Sequence, residues 1–224
     1  MSGGRDSAGY RPAWDAVAET REEAVMTTMS VMKHKCVDDH EGPWTVEEVL
    51  ALPEHPARAR YELVDGVLMM SPAPSFAHQI ASSALNRQIR GAIAAAGAPF
   101  LVVEASNVIG ESRLFIPDIM VVDRSAVLRD TVAVPLEAVL LLAEIVSPHN
   151  RAADRILKPA LYAQAKVPAY WRIELEPEPA VLVHELSGDA YREVQRVTGK
   201  QSVEVGGAFP VDLDVAALLD DLED

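Results

Sequence analysis

Three acidic residues interrupt runs that otherwise read as aliphatic strand. Glu144 lies in LLLAEIV (140–146), Asp118 in FIPDIMVV (115–122) and Glu62 in YELVDG (61–66). Side chains alternate across a strand, so Ile116, Asp118, Met120 and Val122 share one face, as do Leu140, Leu142, Glu144 and Val146. An Asp-Gly turn at 65–66 pairs Glu62 with Met69 and Val64 with Val67, which sets Glu62 among aliphatics too. An ionised carboxylate in such surroundings needs a cation to answer it, or it takes up a proton. A separate Arg or Lys for each acid would satisfy that need. For Asp118 and Glu144 together, at the ends of strands expected to be neighbours, one divalent hard cation is the simpler answer. Mg²⁺ is usually held by one or two carboxylates, with water and phosphate oxygens completing its shell. Pro117, which cannot donate to a strand ladder, predicts a bulge that re-aims Asp118.

A cation follows Glu144 at some distance. In RAADRILKPALYAQA (151–165), Ala153, Leu157, Ala160, Leu161 and Gln164 form one helical stripe, read as the packing face. Asp154, Lys158 and Tyr162 fall at i, i+4 and i+8 on another face. Lys158 is therefore expected to point sideways from the packing face. It serves either the site of Glu144 or an exposed pair with Asp154, worth ~0.3–0.5 kcal/mol. Pro159 kinks the helix or starts it.

The elements that must hold these groups are legible in outline. Thr45 caps a short helix, with Glu48 completing a capping box. YELVDGVLMM (61–70) is a hairpin. Residues 76–96 carry Phe76, Ile80, Ala84, Leu85, Ile89 and Ile93 at helical spacing, stopped by Gly97. Strands are expected at 100–106, 113–122, 138–146 and 170–174, a helix at about 152–165, and a hairpin from 180–186 to 191–197. An acidic tail closes the chain, with an amphipathic segment at 215–222. The order predicts an α/β fold with a mixed sheet flanked by helices.

Composition sets outer limits. The chain has 224 residues, of which 49% are hydrophobic, enough for one domain with a real core. Residues 1–43 show no sustained period and read as a disordered extension, with 44–224 as the folded domain. Met26, Met29 and Met32 are alternative starts. His34, Cys36 and His40 lack ligand partners at metal-site spacing and read as an ordinary polar tail. A single cysteine, no secretory pattern and no membrane-length apolar run predict a cytoplasmic protein without a membrane partner. The net charge of −14 argues against a broad nucleic-acid surface, but its distribution is uneven. Residues 173–224 hold 13 acidic and 3 basic residues, whereas 144–172 hold 2 acidic and 5 basic. There is no GxSxG, P-loop or GxGxxG, so acyl transfer and nucleotide binding have no motif support.

Glu62 in YELVDG, His78-Gln79 opening the long helix, Pro117-Asp118, Glu144 in AEIVSP, and then Asp154, Lys158, Tyr162 and Tyr170-Trp171 together resemble the Uma-two family of endonucleases. That family belongs to the PD-(D/E)XK superfamily, and the resemblance runs from about residue 44 to 197. The superfamily's usual lysine position, two residues after the second acid, holds Val146 here. The family's lysine lies in the following helix, which Lys158 fits. The resemblance implies a restriction-endonuclease-like core with added N-terminal and C-terminal hairpins. It also implies Mg²⁺-dependent hydrolysis of phosphodiester bonds in nucleic acid, DNA above all, with Mn²⁺ as a substitute ion. Asp118, Glu144 and the backbone carbonyl of Ile145 would bind the metal, and Lys158 would assist water or phosphate. Glu62 would hold a second ion or act as an outer base, and His78 would donate to phosphate. Asp154 would orient Lys158, with Ser147 and Tyr162 in support through hydrogen bonds. Similar nucleases are often homodimers. Two rivals remain: a catalytically inactive scaffold acting as a binding or regulatory module, which the acidic surface favours, and a metal-dependent phosphoesterase for small substrates.

Overall fold

The structure, a computed structural model, describes residues 37, 40–55, 57–147 and 153–222, without the side chains of 153 and 154. Most of the expected N-terminal extension lies outside the described residues, with His34, Cys36 and the alternative starts. His40 stacks on Trp44 with ring centroids 3.6 Å apart.

In α1 (Val46–Leu50), Thr45 and Glu48 exchange side-chain-to-backbone hydrogen bonds of 3.2 and 2.8 Å, the expected capping box. β1 (Arg60–Val64) and β2 (Val67–Ser71) then pair in the predicted register, Glu62 opposite Met69. Asp65 and Gly66 both adopt positive φ, as a two-residue hairpin turn requires. A Cβ at Gly66 would lie 2.7 Å from that of Pro43, so the close approach of the chain demands glycine as well.

Ser75 caps α2 (Phe76–Ala96), and Gly97 ends it in the left-handed conformation at φ 59°. The strands that follow divide between two sheets. β3 (Phe100–Glu104), β6 (Ile119–Asp123), β8 (Val139–Ile145), β9 (Ala169–Glu174), β10 (Ala180–Ser187) and β11 (Ala190–Val197) form a six-stranded sheet of order β11-β10-β9-β8-β6-β3. β8 and β9 are parallel and its other pairs antiparallel, so the sheet is mixed as expected. A five-stranded sheet, β2-β1-β5-β4-β7, contains β4 (Asn107–Ile109), β5 (Arg113–Phe115) and β7 (Ala133–Pro135). β4 and β7 carry only three residues each, too few for a periodic signal.

Alternation in β6 and β8 produces two cores. Ile119, Val121, Leu141, Ala143 and Ile145 pack with Leu85 and Ile89 of α2. Met120, Val122 and Leu142 pack with Leu161 and Tyr162 of α3 (Lys158–Gln164) on the other side.

Several expectations are revised. The segment 113–122 is not one bulged strand. It breaks at 116–118 and crosses from the five-stranded to the six-stranded sheet, because Pro117 cannot continue a ladder. The register shift between β6 and β8 falls at Val121/Val122 instead. The second helix is a π-turn, Ala153–Leu157, followed by α3, and Pro159 sits in the first turn of α3, where its missing donor costs nothing. Of the stripe read as its packing face, Leu161 is buried, but Leu157, Ala160 and Gln164 are exposed, while Lys158 and Tyr162, placed on another face, are buried. The expected 180–197 hairpin is present and extends the six-stranded sheet. The acidic C-terminal region contains an unpredicted hairpin, β12 (Lys200–Val205) with β13 (Phe209–Asp214). Gln88 of α2 clamps it through two bonds to the Asp214 backbone, of 2.8 and 3.0 Å.

Candidate active site

The crossing at 116–118 places Asp118 where the two sheets meet. Ile119 pairs with Ala143, so Asp118 arrives beside Glu144 at the adjoining ends of antiparallel strands. Both are buried, at 7% and 2% exposure. Glu62 comes from the other sheet, not from a neighbouring strand of the same one, and is 3% exposed. Its Oε1 accepts the Ile116 N–H at 3.0 Å, and its Oε2 accepts the Ser71 hydroxyl at 3.0 Å. The Ile116 N–H, which lies just past the end of β5 and so has no ladder to join, is thus used to fix a carboxylate.

Lys158 projects from the first turn of α3 into this junction. Its Nζ is 3.1 Å from Glu144 Oε1 and 3.4 Å from Glu62 Oε1, and the residue is 7% exposed. The Tyr162 hydroxyl, one turn further on, donates to the same Glu144 oxygen at 2.5 Å. Burial of a lysine on the packing face is tolerable because two carboxylates receive it.

Asp118 is held differently. His78 Nε2 lies 3.0 Å from Oδ2, the Ile145 N–H donates to Oδ2 at 2.9 Å, and Arg60 donates to Oδ1 at 3.2 Å. The sequence reading missed Arg60, although it shares a β1 face with Glu62 at period two. His78 faces inward from α2, and the Ser75 cap that accepts its N–H sets its position in the first turn. Beyond this centre Arg155 makes a two-bond contact with Glu174, of 3.0 and 2.5 Å, and Arg172 Nε approaches Glu174 at 3.0 Å. Arg155, Glu174 and half-buried Ser147 line a cleft of about 630 Å³ over the acids. The Asp154 side chain lies outside the described residues.

The electrostatics separate the two strand-end acids. Burial raises the Glu144 carboxyl, which Lys158 only partly offsets, and Asp118 and Glu62 raise it further, to about 8. Asp118 is also penalised by burial, but His78, the Ile145 N–H and Lys158 outweigh that penalty and hold it below the usual range. Burial, then the charges of Glu144 and Glu62, push the Tyr162 phenol well above its ordinary value, which keeps it a donor.

The donor set is all oxygen at the carboxylates, which suits a hard divalent ion. Among the described residues no three His, Cys, Asp or Glu side chains converge as a ready cage. A site on two carboxylates completed by water is compatible with that. Both contacts of Glu144 fall on Oε1, and the residue lines the cleft, so its second oxygen is the one available to an ion. No helix among the described residues is long and apolar enough to cross a membrane.

Comparison with protein families matches residues 46–218 to the Uma2 model, described as "Putative restriction endonuclease". Comparison with curated proteins gives no match. Among solved structures, a putative nuclease from Anabaena variabilis is similar at TM-score 0.63 and 18% identity, covering 79% of this chain and 97% of that one. At that identity the likeness concerns the fold, which is nuclease-like and mixed α/β.

Proposed function

The chain belongs to the Uma2 family, and from that premise we propose a divalent-metal-dependent endonuclease that hydrolyses phosphodiester bonds of DNA. Asp118 and Glu144 hold the ion, Mg²⁺ or Mn²⁺ as substitute, with the adjacent Ile145 carbonyl as a further oxygen. When bound, the ion supplies Lewis-acid polarisation of the scissile phosphate. Lys158 stabilises the negative charge that develops there, held ready by Glu144 and Glu62. Tyr162 fixes the Glu144 carboxylate, and His78 and Arg60 position Asp118 while facing the cleft with donors for phosphate. Glu62 orients Lys158 and Ser147 supports the rim. The observation that carries this reading is one lysine within 3.4 Å of two buried carboxylates from different sheets, beside a third at an adjoining strand end. Charge supports it too. With an ion bound, which displaces the Glu144 proton, three ionised acids against Arg60 and Lys158 leave one negative charge, the divalent ion makes that one positive, and a phosphodiester neutralises it.

The test is nicking of supercoiled plasmid with Mg²⁺ or Mn²⁺. Activity is expected in the wild type and lost in Asp118→Ala and Lys158→Ala, with circular dichroism confirming that both fold. Nicking that survives in both variants rejects the assignment. A second reading, an inactive scaffold serving as a binding module, draws on one observation: Arg60, His78 and Lys158 already answer the acids without a metal. Failure of Mg²⁺ and Mn²⁺ alike to raise the melting temperature, together with no nicking, would favour it.

A further inference from the structure

Resting on the nuclease reading, we infer that Arg155, to which the metal centre gives no role, binds a phosphate flanking the scissile one, and that Glu174 positions it there. The first observation is placement. β8 and β9 run parallel, with Glu144 opposite Arg172 and Ile145 opposite Ile173. Glu174 therefore ends β9 one strand over from the centre and two residues further along. Strand spacing and rise put its Cα roughly 8 Å from that of Glu144. The helical stretch that follows β8 lays a cation on each strand end: Lys158 on Glu144, and Arg155, three residues earlier, on Glu174. Lys158, Arg155 and Glu174 all line the cleft. A polynucleotide whose scissile phosphate meets Lys158 thus presents a neighbouring phosphate to Arg155.

The second observation is how Arg155 is held. Its Nε and Nη2 donate to the two Glu174 oxygens, a side-on contact that uses one edge of the guanidinium. Among the described residues Arg155 has no partner besides Glu174. The other edge, Nη1 with the second Nη2 hydrogen, is left for a further acceptor, and its fork matches two phosphate oxygens. The third observation is charge. Buried Glu174 also has Arg172 Nε at 3.0 Å, so within this trio two guanidiniums face one carboxylate. Arg172 alone neutralises Glu174, which leaves the charge of Arg155 for an incoming anion. The Arg155 side chain is 41% exposed, against 25% for Arg60 and 9% for Lys158, so it gives up the least burial in meeting one. A contact that only fastened the helix to the sheet would need no second arginine on the same acid.

Steady-state cleavage of a 5′-labelled DNA duplex carrying a mapped cut tests this, with Mg²⁺ or Mn²⁺ present and circular dichroism confirming that the variants fold. Arg155→Ala should raise KM about ten-fold with kcat little changed. The slope of log kcat/KM against log salt should flatten by about one, since one phosphate contact is gone. Arg155→Lys should restore that slope and only part of KM. Neutral methylphosphonates placed one at a time beside the cut locate the contact. At one position the wild type should lose as much as Arg155→Ala does, and Arg155→Ala should lose nothing further. A second arm works without cleavage: by fluorescence anisotropy in chelator at low salt, Arg155→Ala should raise the Kd of the same duplex about ten-fold. Cleavage with KM and salt slope unchanged in Arg155→Ala, a loss confined to kcat, or methylphosphonate losses that add to that of the variant overturn the inference and leave the nuclease reading standing. Binding by the wild type that Arg155→Ala weakens, without any cutting, supports the inference and rejects the catalytic reading. Neither binding nor cutting by the wild type overturns both.

Discussion

Glu62 and Asp65 belong to one hairpin, and each meets a cation from far along the chain. At the turn, Arg113 grips Asp65 with two hydrogen bonds of 2.9 and 3.0 Å, and Asp65 is 54% exposed. Glu62 has a single, longer approach from Lys158, 3.4 Å, in a site nearly closed to solvent. By geometry alone the Asp65 pair is the better one. By consequence it is the lesser, because water screens it and would solvate either partner alone. At Glu62 the surroundings cannot solvate an orphan charge, so the arrangement of Lys158, Glu62 and Glu144 controls both stability and chemistry.

That contrast can be broken by measurement. Lys158→Ala, read by chemical denaturation in chelator, should cost about 3–5 kcal/mol, since it leaves the buried Glu62 carboxylate without its cation. A loss no larger than that of an exposed pair would end the distinction. The next effect is one of pH. The folded state keeps the Glu144 proton up to about 8, whereas the unfolded state releases it near the ordinary value of 4.5. Its contribution is therefore fully present below 4.5 and is lost as pH rises through 8. Metal-free protein should lose on the order of 3 kcal/mol between pH 5 and 8, and Glu144→Gln should flatten that slope.

Metal should act in the opposite sense. At a hundredfold excess over its Kd, Mg²⁺ should stabilise the wild type by ~2.7 kcal/mol at pH 8, with proton release seen by calorimetry in buffers of different ionisation enthalpy. Asp118→Asn should remove the stabilisation. The smallest change is at the turn. Arg113→Ala should cost no more than ~1 kcal/mol, fading with added salt, and leave plasmid nicking intact. A loss as large as that of Lys158→Ala would show that exposure does not set the order.

Much of the site was legible because a carboxylate in an aliphatic run conflicts with its surroundings. Asp118, Glu144 and Glu62 stood out in that way, Lys158 by its place on the helix after Glu144, and the structure brings the four together. Arg60 passed unnoticed because an arginine at a strand start is ordinary on any surface. The phase of α3 was misread because Lys158 was assigned to the polar face by its type. It is buried because two acids await it, and the π-turn before Pro159 shifts the register of the stripe.

The sequence by itself determined the local elements whose signals are short-range: the Asp-Gly hairpin with its register, the capped helices α1 and α2, and the aliphatic strands that carry acids at period two. Only the tertiary structure decided that Glu62 and Glu144 belong to different sheets, that the chain crosses between them at Pro117, and that one lysine bridges the junction. Periodicity reports which residues want to be buried together within one element. It carries no information on which distant element supplies the answering charge, because that pairing is fixed by packing over the whole fold.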